Sequence, residues 1–273
     1  MSQTAATRQL RAREYLMVPP ENFAVEYEIN PWMDTSTEVD ARLAVKQWEA
    51  LKDALISKGH TVHTLVPEKG LPDMVFAANG AFTVDGVAYG AKFKYPQRSD
   101  EAKAHREFYE SRDWTFRAPT LTNEGEGDFA YANGLILAGY GFRTDVTAHA
   151  EAQEALQRPV VSLKLVDPRF YHLDTALAAL DDDNITYYPQ AFSEASQRVL
   201  RQLFPDALIA DEEDAEAFAL NLVSDGLNVF LNTESVGMAT KVMDRGYVPV
   251  LTDLSELKKG GGSVKCCIAE LRR

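Results

Sequence analysis

Turn signals recur along this chain at nearly constant intervals, and that regularity restricts the fold more than any other feature. Asp85-Gly86, Asn133-Gly134 and Asp225-Gly226 each lie between short apolar runs, the pattern of tight β-hairpins. A fourth turn, Asp181-Asp182-Asp183-Asn184, separates the apolar runs 176–180 and 185–188. With Gly86, Gly134, Asp182 and Gly226 as markers, the spacings are 48, 48 and 44 residues. Between the turns the pattern becomes helical at 40–57, 100–111, 148–157, 194–204 and 236–245. Each helical stretch is followed by a short strand-like run: 60–66, 114–117, 160–166, 207–210 and 248–252. The unit is therefore helix, strand, connection and hairpin, repeated about five times. Residues 15–18 and 266–271 complete one unit split by the two ends of the chain.

Units too small to bury a core alone must stack in a line or pack round a common centre. Five mixed α/β units with joined ends predict a closed ring. A doubly wound sheet leaves no place for four hairpins, and no GxGxxG supports a dinucleotide site. The expected organisation is one catalytic domain over residues 1–273, with 1–13 as a flexible tail.

Charge narrows the partners. A formal net charge of −13 over 273 residues opposes nucleic acid and anionic membranes, and favours a cationic small molecule. The two cysteines, Cys266 and Cys267, are adjacent, so no disulfide framework exists. No apolar run reaches the ~18 residues a membrane span needs, and residues 1–13 lack a signal-peptide core. A reducing, cytoplasmic setting is expected. Association into a homo-oligomer is left open.

The unusual polar residues sit in the connections that enter the hairpins: Asp73 and Asn79, then Glu124, Glu126 and Asp128, then His172 and Asp174, and finally Gly260-Gly-Gly-Ser-Val-Lys-Cys266. In a ring, equivalent positions meet at one end of the axis. A thiol, an imidazole and several carboxylates would then converge from distant parts of the chain. Three glycines before Cys266 allow close approach of backbone to ligand. Asp174 lies two residues from His172, on the same face of an extended segment. No CxxC or HxxxH pair supports a zinc site. Cys267, at opposite strand parity, is expected to pack inward.

Taken together, these residues resemble the amidinotransferase or guanidino-modifying (pentein) superfamily, whose fold is a five-bladed α/β propeller. Within it the chain is most similar to the dimethylarginine dimethylaminohydrolase group and to the related bacterial arginine dihydrolases. The likeness runs from Tyr27-Glu-Ile-Asn-Pro-Trp-Met33 to Gly261-Gly-Ser-Val-Lys-Cys-Cys267. It implies Cys266 as nucleophile, His172 as acid and base, and Glu124 as the acid completing the triad. The family reads acid-Gly-Gly-Asp where this chain has Glu-Gly-Glu-Gly-Asp, which keeps Glu126 as an alternative. The resemblance also implies Asp174 against the guanidinium and Asp73 against the substrate α-amino group. Arg143 would clamp the α-carboxylate, with Lys92 as second cation and Asn30 and Asn79 completing the binding set. Most members carry aspartate at the position of Asn79, and asparagine there resembles the arginine dihydrolases. The implied chemistry needs no metal or organic cofactor.

Overall fold

Residues 8–273 are described by the computed structural model. Strand β1 (Glu14–Met17), helix α1 (Ala41–Ser57) and β2 (Thr61–Thr64) come first. The hairpin β3 (Ala81–Val84) and β4 (Val87–Gly90) is followed by α2 (Glu101–Glu110) and β5 (Thr115–Arg117). The next group is β6 (Phe129–Ala132), β7 (Leu135–Tyr140), α3 (Ala148–Leu156) and β8 (Val160–Lys164). Then come β9 (Leu177–Ala179), β10 (Ile185–Tyr187), α4 (Glu194–Leu203) and β11 (Leu208–Ile209). A short α5 (Glu212–Glu216) leads to β12 (Val223–Ser224), β13 (Asn228–Asn232), α6 (Val236–Asp244) and β14 (Val248–Thr252). The chain closes with α7 (Ser255–Lys258) and β15 (Ala269–Glu270).

These strands form five three-stranded sheets with one topology. In each, the hairpin is antiparallel, and the strand after the helix joins parallel to the hairpin's second member. A helix is the natural crossover between parallel neighbours. The fifth hairpin is made by the chain ends: β15 pairs antiparallel with β1, Tyr15 opposite Glu270 and Leu16 opposite Ala269. The architecture is a five-bladed α/β propeller, the ring expected from the repeat.

Burial orders the strands radially. The first hairpin strands β3 and β12 are buried throughout, and β15 lies against β3, β6 against β9, and β9 against β12. The last strands, β2, β5, β8 and β14, are largely exposed or half-buried. Helices cover the blades with one apolar face. In α1 that face is Ala44, Trp48, Leu51 and Leu55, and Asp40 caps the start by accepting from the Arg42 and Leu43 amides. The predicted helices match the five long ones to within a residue or two at each end. The short helices α5 and α7 were not foreseen; α5 depends on a capping box between Asp211 and Asp214, in a stretch too brief for periodicity to show.

The expected flexible tail at 1–13 needs correction where it can be followed. Residues 1–7 lie outside the described residues. From Arg8 onward the segment is docked: Arg8 pairs with Asp181, Arg11 with Asp182 and Arg13 with Glu270. The Arg11 amide also donates to the Asp225 carbonyl at 3.0 Å. Basic residues at this end meet the acidic hairpin turn of another blade, a pairing invisible to local pattern. Among the described residues no helix is long and apolar enough to cross a membrane.

Candidate active site

Each first hairpin strand starts near the axis, so the connection just before it is delivered to one end of the ring. One-turn helices at Ala77–Gly80, Gly125–Gly127 and Leu173–Thr175 pack against one another there. Equivalent offsets recur. Glu124 and His172 each stand five residues before their strand, Asp174 and Cys266 three, and Asn79 and Asn221 two. At the opposite, hairpin-turn end a cavity of about 460 Å³ is lined by Arg13, Glu126, Lys265, Glu270 and Arg272 among others.

Glu124 and His172 form a buried pair. His172 Nε2 lies 2.7 Å from Glu124 Oε2, which also accepts from Arg143 Nη1 at 2.7 Å. The Lys94 amide donates to Oε1 at 3.1 Å. Burial alone would raise the Glu124 carboxyl, but Arg143 and His172 outweigh it and hold it well below the usual carboxylate range. An ionised Glu124 requires His172 Nε2 to carry a proton, which leaves Nδ1 as the nitrogen free for proton transfer. His172 Nδ1 is buried and has no hydrogen-bond partner. Glu126, the alternative acid, turns away: it meets Lys265 Nζ at 2.8 Å, the Glu270 amide at 2.8 Å and Arg272. Asp128 ties the connections together by accepting from the Leu173 and Thr144 amides.

The glycines of this turn are required by crowding. Gly125 has φ +54°, and a Cβ there would sit 2.8 Å from backbone atoms of Ala78 and Ala81. A Cβ on Gly127 would lie 2.2 Å from Asn79 Nδ2 and 3.3 Å from the His172 ring. Asn79 and His172 therefore border the same small space.

Cys266 Sγ lies 3.3 Å from Asp174 Oδ2 and 3.1 Å from Asn221 Nδ2. Burial and the Asp174 charge push the thiol well up, so the resting group is protonated. Burial also lifts Asp174 to about 7 against the opposing pull of Lys265. Cys267 is wholly buried, in the same apolar cluster as Tyr15, Trp48 and Leu51.

A second polar group flanks this centre. Arg98 Nη1 donates to Asn79 Oδ1 at 2.8 Å, and Nη2 donates to the Asp73 carbonyl at 3.1 Å. Glu101 holds the same guanidinium through two contacts of 2.8 Å. Tyr27 Oη donates to Asp73 Oδ2 at 3.1 Å, while Asp73 Oδ1 and Asp174 Oδ1 are buried without partners. Asn30 donates to the Gly260 carbonyl at 3.2 Å and accepts from the Trp32 amide at 2.9 Å. Arg143 is buried between the rings of Tyr95 and Tyr171 and donates its second Nη to the Ile29 carbonyl at 2.8 Å. Lys92 is a correction: its exposed amine reaches the Thr120 carbonyl, and the buried cation beside Asp73 and Asn79 is Arg98.

Sequence reasoning missed Arg98 and Asn221. A usable signal existed for each. Arg98 precedes α2 as Arg143 precedes α3, and Asn221 precedes β12 at the offset by which Asn79 precedes β3.

A five-bladed α/β propeller that gathers a thiol, an imidazole and buried carboxylates at one end of its axis defines a pentein of the guanidino-modifying superfamily. Residues 17–273 match the family described as N,N dimethylarginine dimethylhydrolase, eukaryotic, and the chain belongs to that family of guanidino-group hydrolases. It is 51% identical over 266 residues to the N(G),N(G)-dimethylarginine dimethylaminohydrolase of Mycobacterium tuberculosis, covering 97% of this chain and 88% of that protein. It is 36% identical over 260 residues to the bifunctional arginine dihydrolase/ornithine cyclodeaminase AgrE of a Nostoc species, covering 92% of this chain but 37% of AgrE. Among solved structures, the product-bound N-terminal domain of ArgZ, a cyanobacterial arginine dihydrolase, superposes with TM-score 0.92 at 33% identity, covering 96% of this chain and 98% of that one.

Proposed function

We propose that this chain hydrolyses a guanidinium C–N bond of an arginine-type substrate, with dimethylarginine as the substrate and citrulline and dimethylamine as products. The observation that carries the reading is the pairing of Cys266 with Asp174, which shares a connection with a Glu124-oriented His172 whose Nδ1 is unpartnered. The 51% identity to a dimethylarginine dimethylaminohydrolase supports the choice of substrate.

A guanidinium is planar, cationic and resonance-stabilised, so its carbon is a poor electrophile and its nitrogens leave only when protonated. Asp73 Oδ1 and Asp174 Oδ1, buried acceptors without donors, suit N–H groups of such a cation. A bound guanidinium offsets the charge of Asp174, which removes the main obstacle besides burial to forming the Cys266 thiolate. The Cys266 thiol proton passes to His172 Nδ1 as the sulfur attacks the guanidinium carbon, and His172 hands that proton to the departing amine as the C–N bond breaks. A covalent thiouronium remains. Neutral His172 then takes a proton from water as the oxygen adds to the same carbon. Collapse breaks the C–S bond and releases the ureido product and the thiolate, which takes up the hydroxyl proton while His172 gives its own to solvent. Such acid–base help is worth roughly 10²–10⁴-fold in rate.

Arg143 serves two ends in this scheme. Two of its five N–H groups are committed to Glu124 and Ile29, which leaves three for a substrate carboxylate. Arg143→Ala should lower kcat for every guanidine by loosening Glu124, and should raise KM only for substrates carrying an α-carboxylate. Steady-state kinetics on arginine-type substrates and on simple alkylguanidines separate the two effects. Equal KM changes for both would remove the clamp.

A second reading, release of two ammonia molecules from arginine to give ornithine, is favoured by Asn79. Its amide accepts from Arg98 and donates to the Glu124 carbonyl at 3.3 Å, so one N–H remains beside the His172 space. That N–H can donate to the oxygen of a ureido group, which an aspartate cannot do. The test is product analysis after incubation with dimethylarginine and with arginine. Citrulline and dimethylamine from the first, with no ornithine from the second, support the dimethylarginine reading. Two ammonia per arginine with ornithine overturn it in favour of the second. In that case Asn79→Asp should keep the first ammonia and lose the second.

A further inference from the structure

We propose that Asn221 is a catalytic residue whose side-chain N–H stabilises the Cys266 thiolate, both as it attacks and as it leaves the covalent intermediate. The proposal rests on the reading of Cys266 as nucleophile.

The fourth connection is the one for which the sequence shows no chemistry-bearing residue, and the geometry fills that gap. Asn221 is buried, and every polar atom of its side chain is engaged. Its Oδ1 accepts from the Cys266 amide and from the Ser263 amide, both at 3.1 Å. Two N–H donors on one oxygen settle the orientation of the amide, because a flipped group would place its NH₂ against both. Nδ2 must then face the other way, where it lies 3.1 Å from Cys266 Sγ and 3.1 Å from the Asp174 carbonyl. The Asn221 carbonyl also accepts from the Lys265 amide at 3.2 Å.

The sulfur needs such a donor. Besides Asn221, the sulfur lies 3.3 Å from the Asp174 carboxylate, and the Ser263 amide is a second donor that favours its anion. Asp174, required to hold a cation, opposes a negative sulfur. The amide of Asn221 never titrates, so it offers the same N–H to the sulfur at every stage. A charge-assisted contact of this kind costs roughly 10- to 100-fold in equilibrium when it is lost.

Asn221→Asp keeps the oxygen that organises the Cys266 and Ser263 amides but exchanges the donor for a carboxylate oxygen, so Asn221→Ala, which removes the donor without adding charge, is read beside it. In a Cys267→Ala background, the rate of iodoacetamide alkylation against pH reports the titration of Cys266 alone. Asn221→Asp should move that midpoint upward by about one to two pH units and lower kcat by about 10- to 100-fold, with KM within about threefold. In Asn221→Ala the midpoint should rise too, and a rise confined to Asn221→Asp would be the effect of its charge and would overturn the proposal. An unmoved midpoint, or loss of fold in both variants, would assign Asn221 to the scaffold and overturn the proposal. Alkylation needs no substrate, so the result stands apart from which guanidine the wild type turns over.

Discussion

Cys266→Ser should abolish turnover, by at least ~10⁴-fold, while Cys267→Ala keeps activity within a few-fold. Strand parity in the sequence favours Cys266, but both cysteines lie in a turn ahead of β15, where parity does not set their directions. Both cysteines belong to one apolar cluster, and their polar contacts separate them: the Cys266 thiol meets Asp174 and Asn221, whereas the Cys267 side chain is wholly buried. A serine hydroxyl titrates far above a thiol and finds the same carboxylate beside it, so no alkoxide forms at neutral pH. Intact-mass analysis of a rapidly quenched slow substrate should place the adduct on the peptide at Cys266. An adduct confined to Cys267 would reverse the assignment. Free enzyme should also alkylate slowly at neutral pH, because burial and Asp174 hold the thiol up until a cation binds.

Glu124→Gln, an exchange of one atom, should lower both stability and activity. All three of its contacts are donors: Lys94 N–H on Oε1, and Arg143 and His172 on Oε2. Either orientation of the new amide sets an NH₂ group against a donor. Arg143 also loses the charge that balances it in a buried position. Removing one partner of a buried ion pair costs about 3–5 kcal/mol, and at ~2–4 °C per kcal/mol the melting temperature should fall by roughly 6–20 °C. Turnover should fall by at least ~10³-fold as His172 loses its orientation. An unshifted melt with full activity would show that another acid orients His172.

The same residue predicts an acid-dependent stability. Arg143 and His172, outweighing burial, depress the folded-state titration of Glu124, so the folded protein releases this proton more readily than the unfolded chain. Its contribution is complete above the unfolded value near ~4.3 and is lost as pH falls through the lower, folded value. Wild type should therefore shed stability in acid along this limb, and Glu124→Gln should not. Chemical denaturation at a series of acid pH values should show the gap between the two proteins closing as pH falls.

Much of the architecture was legible because its signals are local and repeated. Hairpin turns, helical stripes and the run of polar connections each lie within about twenty residues, and their recurrence alone implied a ring. The resemblance then attached roles to Cys266, His172, Glu124 and Asp174, residues the fold does bring to one end. What only the tertiary structure decided lies between blades. Glu124 and Glu126 are two residues apart in the same turn, yet one meets His172 and Arg143 while the other faces Lys265 and Arg272. An irregular turn has no period from which to read which way each acid points. Position before α2 hinted at Arg98, but it is burial that places Arg98 against Asn79 and leaves Lys92 exposed. Asn221 shares only an offset with Asn79, and its contacts with Cys266 and Asp174 exist only where three separate connections close on one sulfur. The docking of residues 8–13 likewise depends on acids more than 160 residues away, and pairing at that separation is set by the closed ring rather than by local sequence.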